Sequence, residues 1–113
     1  MDCIFCKIAQ KALPTHVIFE NDELLAFHDQ NPQAPVHVLI IPKRHINSVN
    51  ETDTTDALLL GNMILTAKHV AEIQGMQHDG YRLIFNINQN GGQTVYHIHL
   101  HLLGGRRMTW PPG

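Results

Sequence analysis

The stretch Tyr96-His97-Ile98-His99-Leu100-His101-Leu102-Leu103 places three histidines on alternate positions with aliphatic residues between them. Alternate residues of a β-strand project to the same side. A strand here would send Ile98, Leu100 and Leu102 into a core and line up the imidazoles on the opposite face. A helix would scatter them around its circumference. Imidazole is the side chain whose ordinary pKa lies nearest neutrality, so such a row can hold a proton, a metal ion or a phosphate.

The rest of the chain supplies partners for that strand. Ile4 to Gln10 reads as a short amphipathic helix with Asp2 as N-cap, ending before Pro14. His16 to Glu20 and Leu24 to His28 read as two strands of a hairpin joined by Asn21-Asp22-Glu23. A two-proline loop, Asp29 to Pro35, leads into a strand from Val36 to Ile41 that Pro42 should terminate. Between Asp53 and Gln74 the apolar positions Leu60, Met63, Ile64, Ala67 and Ala71 recur at helical spacing, and Gly75 is a natural stop. Tyr81 to Ile87 and Val95 to Leu103 complete the set as strands, separated by a loop that contains Gly91-Gly92. The expected class is α+β: a roughly five-stranded antiparallel sheet with one long and one short helix.

At 113 residues the chain fits a single domain, 1–113, with an extended tail from about residue 104 that carries Gly104-Gly105 and Pro111-Pro112. Trp110 sits in that tail and should pack across an interface, where tryptophan is enriched. No apolar run approaches the roughly 20 residues of a membrane span. The first residues lack the basic and apolar segments of a secretory signal, so a cytoplasmic protein is expected. A net charge of −2 gives no basic stripe for a polynucleotide, although local groups could hold a mononucleotide. Cys3 and Cys6 should be reduced, because a disulfide between residues so close would stabilise little. Their C-x-x-C spacing is open to a half metal site, a redox motif or two small apolar side chains.

Two chemistries suit the histidine row. One is a metal site in which a strand supplies H-x-H and other elements complete the ligand set. The other is nucleophilic catalysis, since an imidazole nitrogen attacks phosphorus and splits one hard displacement into two easier ones. The loop just upstream favours phosphate. Gly91 and Gly92 let backbone approach a ligand closely, and Gln93 and Thr94 add donors immediately before the histidines.

The run from Gly91 through Arg106 resembles the signature of the histidine triad (HIT) superfamily, and specifically its Hint branch of purine nucleoside phosphoramidases. Further matches span nearly the whole chain: Phe27-His28-Asp29, Pro32-Gln33-Ala34-Pro35-Val36-His37, Ile41-Pro42-Lys43-Arg44-His45, Gly80-Tyr81-Arg82 and Trp110-Pro111-Pro112-Gly113. The resemblance implies that His99 attacks the α-phosphorus of an adenosine or guanosine phosphoramidate and expels the amine. Water would then hydrolyse the nucleotidyl-histidine to AMP or GMP, with no metal required at phosphorus. His101 would contact the phosphate and assist proton transfer, His37 would support the site, and His97 would orient the nucleophile. Thr94 stands where the branch usually has serine, which keeps a hydroxyl but adds a methyl.

By the same resemblance, Phe5, Ile8 and Phe27 would surround the base, with His28 and Gln30 nearby and Asp29 accepting from the ribose hydroxyls. Asn86, Gly92, Gln93, Thr94 and Val95 would serve the sugar–phosphate side, and Trp110 would approach the site of a second copy in a homodimer built on the long helix and the Val95 to Leu103 region. Some relatives bind a structural zinc through residues that correspond here to Cys3, Cys6, His45 and His97, a donor set suited to tetrahedral zinc. From residues alone, Phe5, Ile8 and Phe27 read as plain core, and only the resemblance assigns them to a pocket. The alternatives to a phosphoramidase are a nucleotide-binding regulatory module and a dinucleoside polyphosphate hydrolase, and the Trp-Pro-Pro-Gly ending favours the Hint branch over the latter.

Overall fold

The computed structural model describes residues 3–113. Strands β1 (Val17–Glu20), β2 (Leu24–His28), β3 (Val36–Pro42), β4 (Tyr81–Phe85) and β5 (Leu100–Gly104) form one antiparallel sheet in the order β1-β2-β3-β5-β4. Helix α1 (Ile4–Ala9) lies on one face of this sheet and α2 (Ala57–Ile73) on the other. The expected α+β class, the strand count and the pair of helices are therefore observed.

Both faces of the centre are covered, which explains why Leu24 to Phe27 and Val38 to Ile41 are apolar without interruption. Leu24, Ala26, Val38, Ile40, Leu100 and Leu102 pack under α2 with Met63, Ala67 and Val70. Their alternates Leu25, Phe27, Leu39 and Ile41 pack under α1 with Phe5 and Ile8. In β5 that second face carries His101.

Several local expectations shift. Asp2, expected as the N-cap of α1, lies outside the described residues; Cys3 caps the helix, its Sγ accepting from the Cys6 N–H at 3.4 Å. The long helix begins at Ala57, because Asp53 caps a separate 3₁₀ turn over Thr54–Asp56. Its buried stripe is Leu59, Met63, Thr66, Ala67, Val70 and Ala71, whereas Ile64 is 45% exposed and Leu65 61% exposed, so a second apolar face of α2 stays uncovered. Gly75, at φ +74°, ends the helix region as expected.

The largest departure concerns the histidine row itself. A strand was expected from Val95, yet the ladder begins only at Leu100. Continuing the β3–β5 register beyond Ile40↔Leu100 would set Ile98 opposite Pro42, which has no N–H to give. The Ile98 N–H bonds instead to the Ile46 carbonyl at 2.6 Å, and the Pro42 carbonyl accepts from His97 Nε2 at 2.8 Å. β4 stops at Phe85 rather than Ile87, just where its partner strand does. Among the described residues no helix is long and apolar enough to cross a membrane.

Candidate active site

Although His97 and His99 precede the ladder, the alternation still sorts the side chains. Ile98, Leu100 and Leu102 enter the core under α2, while the histidines turn toward α1. The His99 and His101 rings stand 4.9 Å apart, and Phe5 meets the rings of His97 and His99 edge-on at 6.0 and 5.1 Å. All three histidines are largely buried, His97 completely so.

Hydrogen-bond partners dictate which nitrogen carries each proton. His99 Nδ1 lies 2.8 Å from the His97 carbonyl and can only donate to it, which leaves Nε2 as a bare lone pair. His37 Nδ1 accepts from the Gln33 N–H at 3.0 Å, so its Nε2 holds the hydrogen and donates to His101 Nδ1 at 2.9 Å. His101 must then carry its own hydrogen on Nε2. Asn86 Nδ2, itself a donor, stands 3.5 Å from that nitrogen, so an Nε2–H there requires the Asn86 amide to turn its Oδ1 toward His101. Asp29 Oδ2 stands 3.5 Å from His37 Nε2, and Asp29 Oδ1 accepts from the Asn31 N–H at 2.8 Å, which fixes the carboxylate.

Burial lowers the pKa of His37, His97, His99 and His101 alike. His101 falls furthest, to about 4, because the neighbouring His99 and His37 add to its desolvation and outweigh Asp29. The Asp29 charge opposes burial at His37, and the His97 carbonyl opposes it at His99. The cluster is thus held neutral near pH 7, with one basic nitrogen on His99 and one N–H on His101.

These groups edge a cavity of about 470 Å³. Phe5, Ile8, Phe27 and Leu39 make one apolar side; Asp29, Gln30, His37, Thr94, Val95, His99 and His101 supply the remainder. A volume of this size with a few convergent polar groups suits a small-molecule site. Ile4, Thr15, Asn31 and Gln33 also line it, and sequence reasoning gave none of these a role. Only Gln33 had a readable signal, since it sits in the two-proline loop four residues before His37.

Other expected site residues fall elsewhere. Gly92 and Gln93 do not line the cavity: their N–H groups close the loop on the Gln89 and Asn88 carbonyls, both at 3.0 Å. Gly92 is needed for its φ of +79°, and a Cβ on Gly91 would strike the Ile87 backbone. The buried Gln93 side chain spans the loop, accepting from the Asn88 N–H and donating to the Asn47 and Val95 carbonyls at 2.7 and 3.0 Å. The pair of glycines therefore shapes the loop, and the donors of Gly92 and Gln93 are already used within the protein. His28 pairs with His16 at 5.8 Å outside the cavity wall, and Trp110 is 81% exposed.

On the far side of His97, Cys3, Cys6 and His45 gather so that one ligand atom from each of the four residues lies within 4.8 Å of the others. Cys3 Sγ and Cys6 Sγ stand 3.4 and 3.5 Å from His97 Nδ1, and Cys6 Sγ stands 3.3 Å from His45 Nδ1. Tetrahedral zinc would place sulfur and nitrogen ligands roughly 3.5 Å apart. Both histidines use their other nitrogen to donate, His97 to the Pro42 carbonyl and His45 to Asn47 Oδ1 at 2.8 Å, so each presents a lone pair from Nδ1. Burial and the adjoining Cys3 push the Cys6 thiol up. The donor set and its spacing fit a tetrahedral metal ion. Asp29, His37 and His101 also converge, but His37 fits a metal poorly: its Nδ1 is already an acceptor and its Nε2 carries a proton.

Residues 10–108 match the HIT domain. The chain is 48% identical over 112 residues to an uncharacterized HIT-like protein of Synechococcus elongatus, covering 99% of this chain and 97% of the other. It superimposes on the crystal structure of a HIT family hydrolase from Legionella pneumophila Philadelphia 1 with a TM-score of 0.97 at 57% identity, covering 99% of this chain and all of that one. A zinc-bound histidine triad family protein from Mycobacterium smegmatis aligns with a TM-score of 0.83 at 29% identity over 100% of this chain and 81% of its own.

Proposed function

The chain belongs to the HIT domain family, and from that premise we propose that it is a purine nucleoside phosphoramidase of the Hint branch. The observation that carries the reading is the His99 tautomer. Its Nδ1 hydrogen is held by the His97 carbonyl at 2.8 Å, and its Nε2 lone pair is left for attack in a cavity with one apolar wall. The hydrolase relative and the Trp110-Pro111-Pro112-Gly113 ending support the same assignment.

In this reading Phe5, Ile8 and Phe27 hold the purine and Asp29 accepts from the ribose hydroxyls, with Gln30 and His28 at the rim. Thr94, Val95 and Asn86 face the phosphate side, while Gly92 and Gln93 act through loop shape. His99 Nε2 bonds to the α-phosphorus as the P–N bond breaks and the leaving amine takes the proton of His101 Nε2, so the positive charge formed on nucleotidyl-His99 balances the negative charge left on the His101 ring. His101, now basic, receives a proton from the water that attacks the nucleotidyl-His99. The P–N bond to His99 breaks, a nucleoside monophosphate leaves and both imidazoles return to their starting tautomers. His37 holds the His101 tautomer, as the third member of a triad does.

Zinc bound by Cys3, Cys6, His45 and His97 would serve as a structural crosslink, and the zinc-bound mycobacterial relative supports that choice of metal. A homodimer would cover the exposed apolar residues Leu58, Ile64 and Leu65 of α2 and bring Trp110 toward a neighbouring site. The test is release of AMP from an adenosine phosphoramidate, beside a dinucleoside polyphosphate, by the protein and its His99→Asn variant. Phosphoramidate turnover abolished by the substitution is the expected result. AMP binding without turnover would make the protein a nucleotide-binding module, and faster dinucleotide cleavage would move it to the other hydrolase class.

A further inference from the structure

The four metal-ligating side chains lie outside the cavity wall, yet three ties lead from them into it. The first runs through α1. This helix has only six residues, too few to persist alone, and what seats it is the apolar packing of Phe5 and Ile8 together with the contacts of Cys3 and Cys6 to the two histidines. Phe5 and Ile8 are also the α1 contribution to the apolar wall. The second tie is the His97 carbonyl, which fixes the His99 ring from two residues away at 2.8 Å. The third passes from His45 to Asn47 at 2.8 Å, then from the Asn47 carbonyl through the Gln93 amide to the Val95 carbonyl. A separate cavity of about 510 Å³ opens onto Cys3 and His45 and shares Thr94 and Val95 with the first, which gives an ion a way in without unfolding the core.

We propose that Cys3, Cys6, His45 and His97 form the positioning element of the nucleotide site. A metal ion bound there seats Phe5, Val95 and His99, so metal and nucleotide bind cooperatively. Without the ion, α1 is held by thiol–imidazole contacts and apolar packing, and the loop before His97 by the Gln93 hydrogen bonds, so part of the nucleotide's binding free energy must go into tightening both. The coupling is reciprocal by thermodynamic necessity. The inference rests on the nucleotide reading of the larger cavity.

The full chain, stripped of metal and then reloaded with zinc, allows the two to be tested apart. Amide hydrogen exchange over residues 4–10 and 94–99 reports the ordering. Calorimetry reports AMP affinity with and without zinc, and zinc affinity with and without AMP. The expected result is slower exchange in both segments on zinc binding, AMP affinity raised about tenfold, and zinc affinity raised by AMP by the same factor. Cys6→Ser and His45→Asn, the latter outside α1 and so a check on folding, should each remove the effect of zinc on AMP binding. Zinc that slows exchange while AMP binds equally to both forms would overturn the coupling and leave the nucleotide reading intact. AMP bound by neither form would overturn that reading and the inference with it, and a chain that fails to bind zinc would overturn the inference alone.

Discussion

Replacing His37 with leucine tests whether the proton arrangement around His101 governs the departure of the leaving group. The substitution removes the donor to His101 Nδ1, at 2.9 Å, and the acceptor of the Gln33 N–H, at 3.0 Å. With His37 only 5% exposed, the abandoned partners stay partly desolvated at a cost of about 1–3 kcal/mol each, so a stability loss of about 2–6 kcal/mol is expected. The kinetic effect has a different origin. A hydrogen bond worth about 1 kcal/mol favours the His101 tautomer with the proton on Nε2 by about fivefold. Losing it cuts that tautomer's share from roughly 85% to about half and should lower turnover about twofold when an amine must be protonated as it leaves. An adenylate ester with a 4-nitrophenolate leaving group needs no such proton and should be hydrolysed almost as before. His37→Gln, which keeps one donor and one acceptor, should recover part of the loss. The assay is kcat for both substrates below the melting temperature of each variant. Equal losses on the two would refute the relay and leave His37 a packing residue.

Three further outcomes follow from the same geometry. Burial and its neighbours hold His101 at about 4, so between pH 6.5 and 4 the unfolded chain binds a proton that the folded chain refuses. This contribution to stability is intact above about pH 6.5 and is lost as pH falls through that window, by at most about 3 kcal/mol. Melting curves against pH in a Cys6→Ser background, free of metal loss, should flatten when His101 becomes glutamine. Gly91→Ala would drive a Cβ into the Ile87 backbone and displace the loop that carries Thr94, so a stability loss of about 1–3 kcal/mol by denaturant titration with a rise in KM is expected. Leu65→Glu on the uncovered face of α2, 61% exposed in the single chain, should leave a monomer in light scattering where the unaltered chain forms the proposed dimer, with little change in the fold.

Much of the architecture is legible in the residues because it depends on short-range rules. Alternation in β5, the unbroken apolar runs of β2 and β3, the Asn21 turn whose side chain accepts from the Glu23 and Leu24 N–H groups, and Gly75 as a helix stop all act within a few residues. What the sequence does not disclose is where the ladder begins. The regularity of His97, His99 and His101 suggests one continuous strand, but Pro42 on the neighbouring strand withholds the N–H that would extend it. The result matters for chemistry, since outside the ladder the His97 carbonyl is free to accept from His99. Gly91-Gly92 misleads for a related reason: the glycines allow a tight loop, and only the structure reveals that Gly92 and Gln93 turn their N–H groups inward. Gln33 holding His37 is a contact across four residues, within reach of a local reading of the two-proline loop. Gln93 bridging Asn47 and Val95 is a tertiary contact that no local pattern encodes.

The most direct test is to mix the protein with an adenosine phosphoramidate, quench within the first turnover under mildly alkaline conditions, digest and locate the modified peptide by mass spectrometry. The account predicts one acid-labile nucleotidyl group on His99 Nε2, formed before AMP appears and absent from His99→Asn. Turnover with no adduct on any histidine, or an adduct carried by His101 instead, would contradict it.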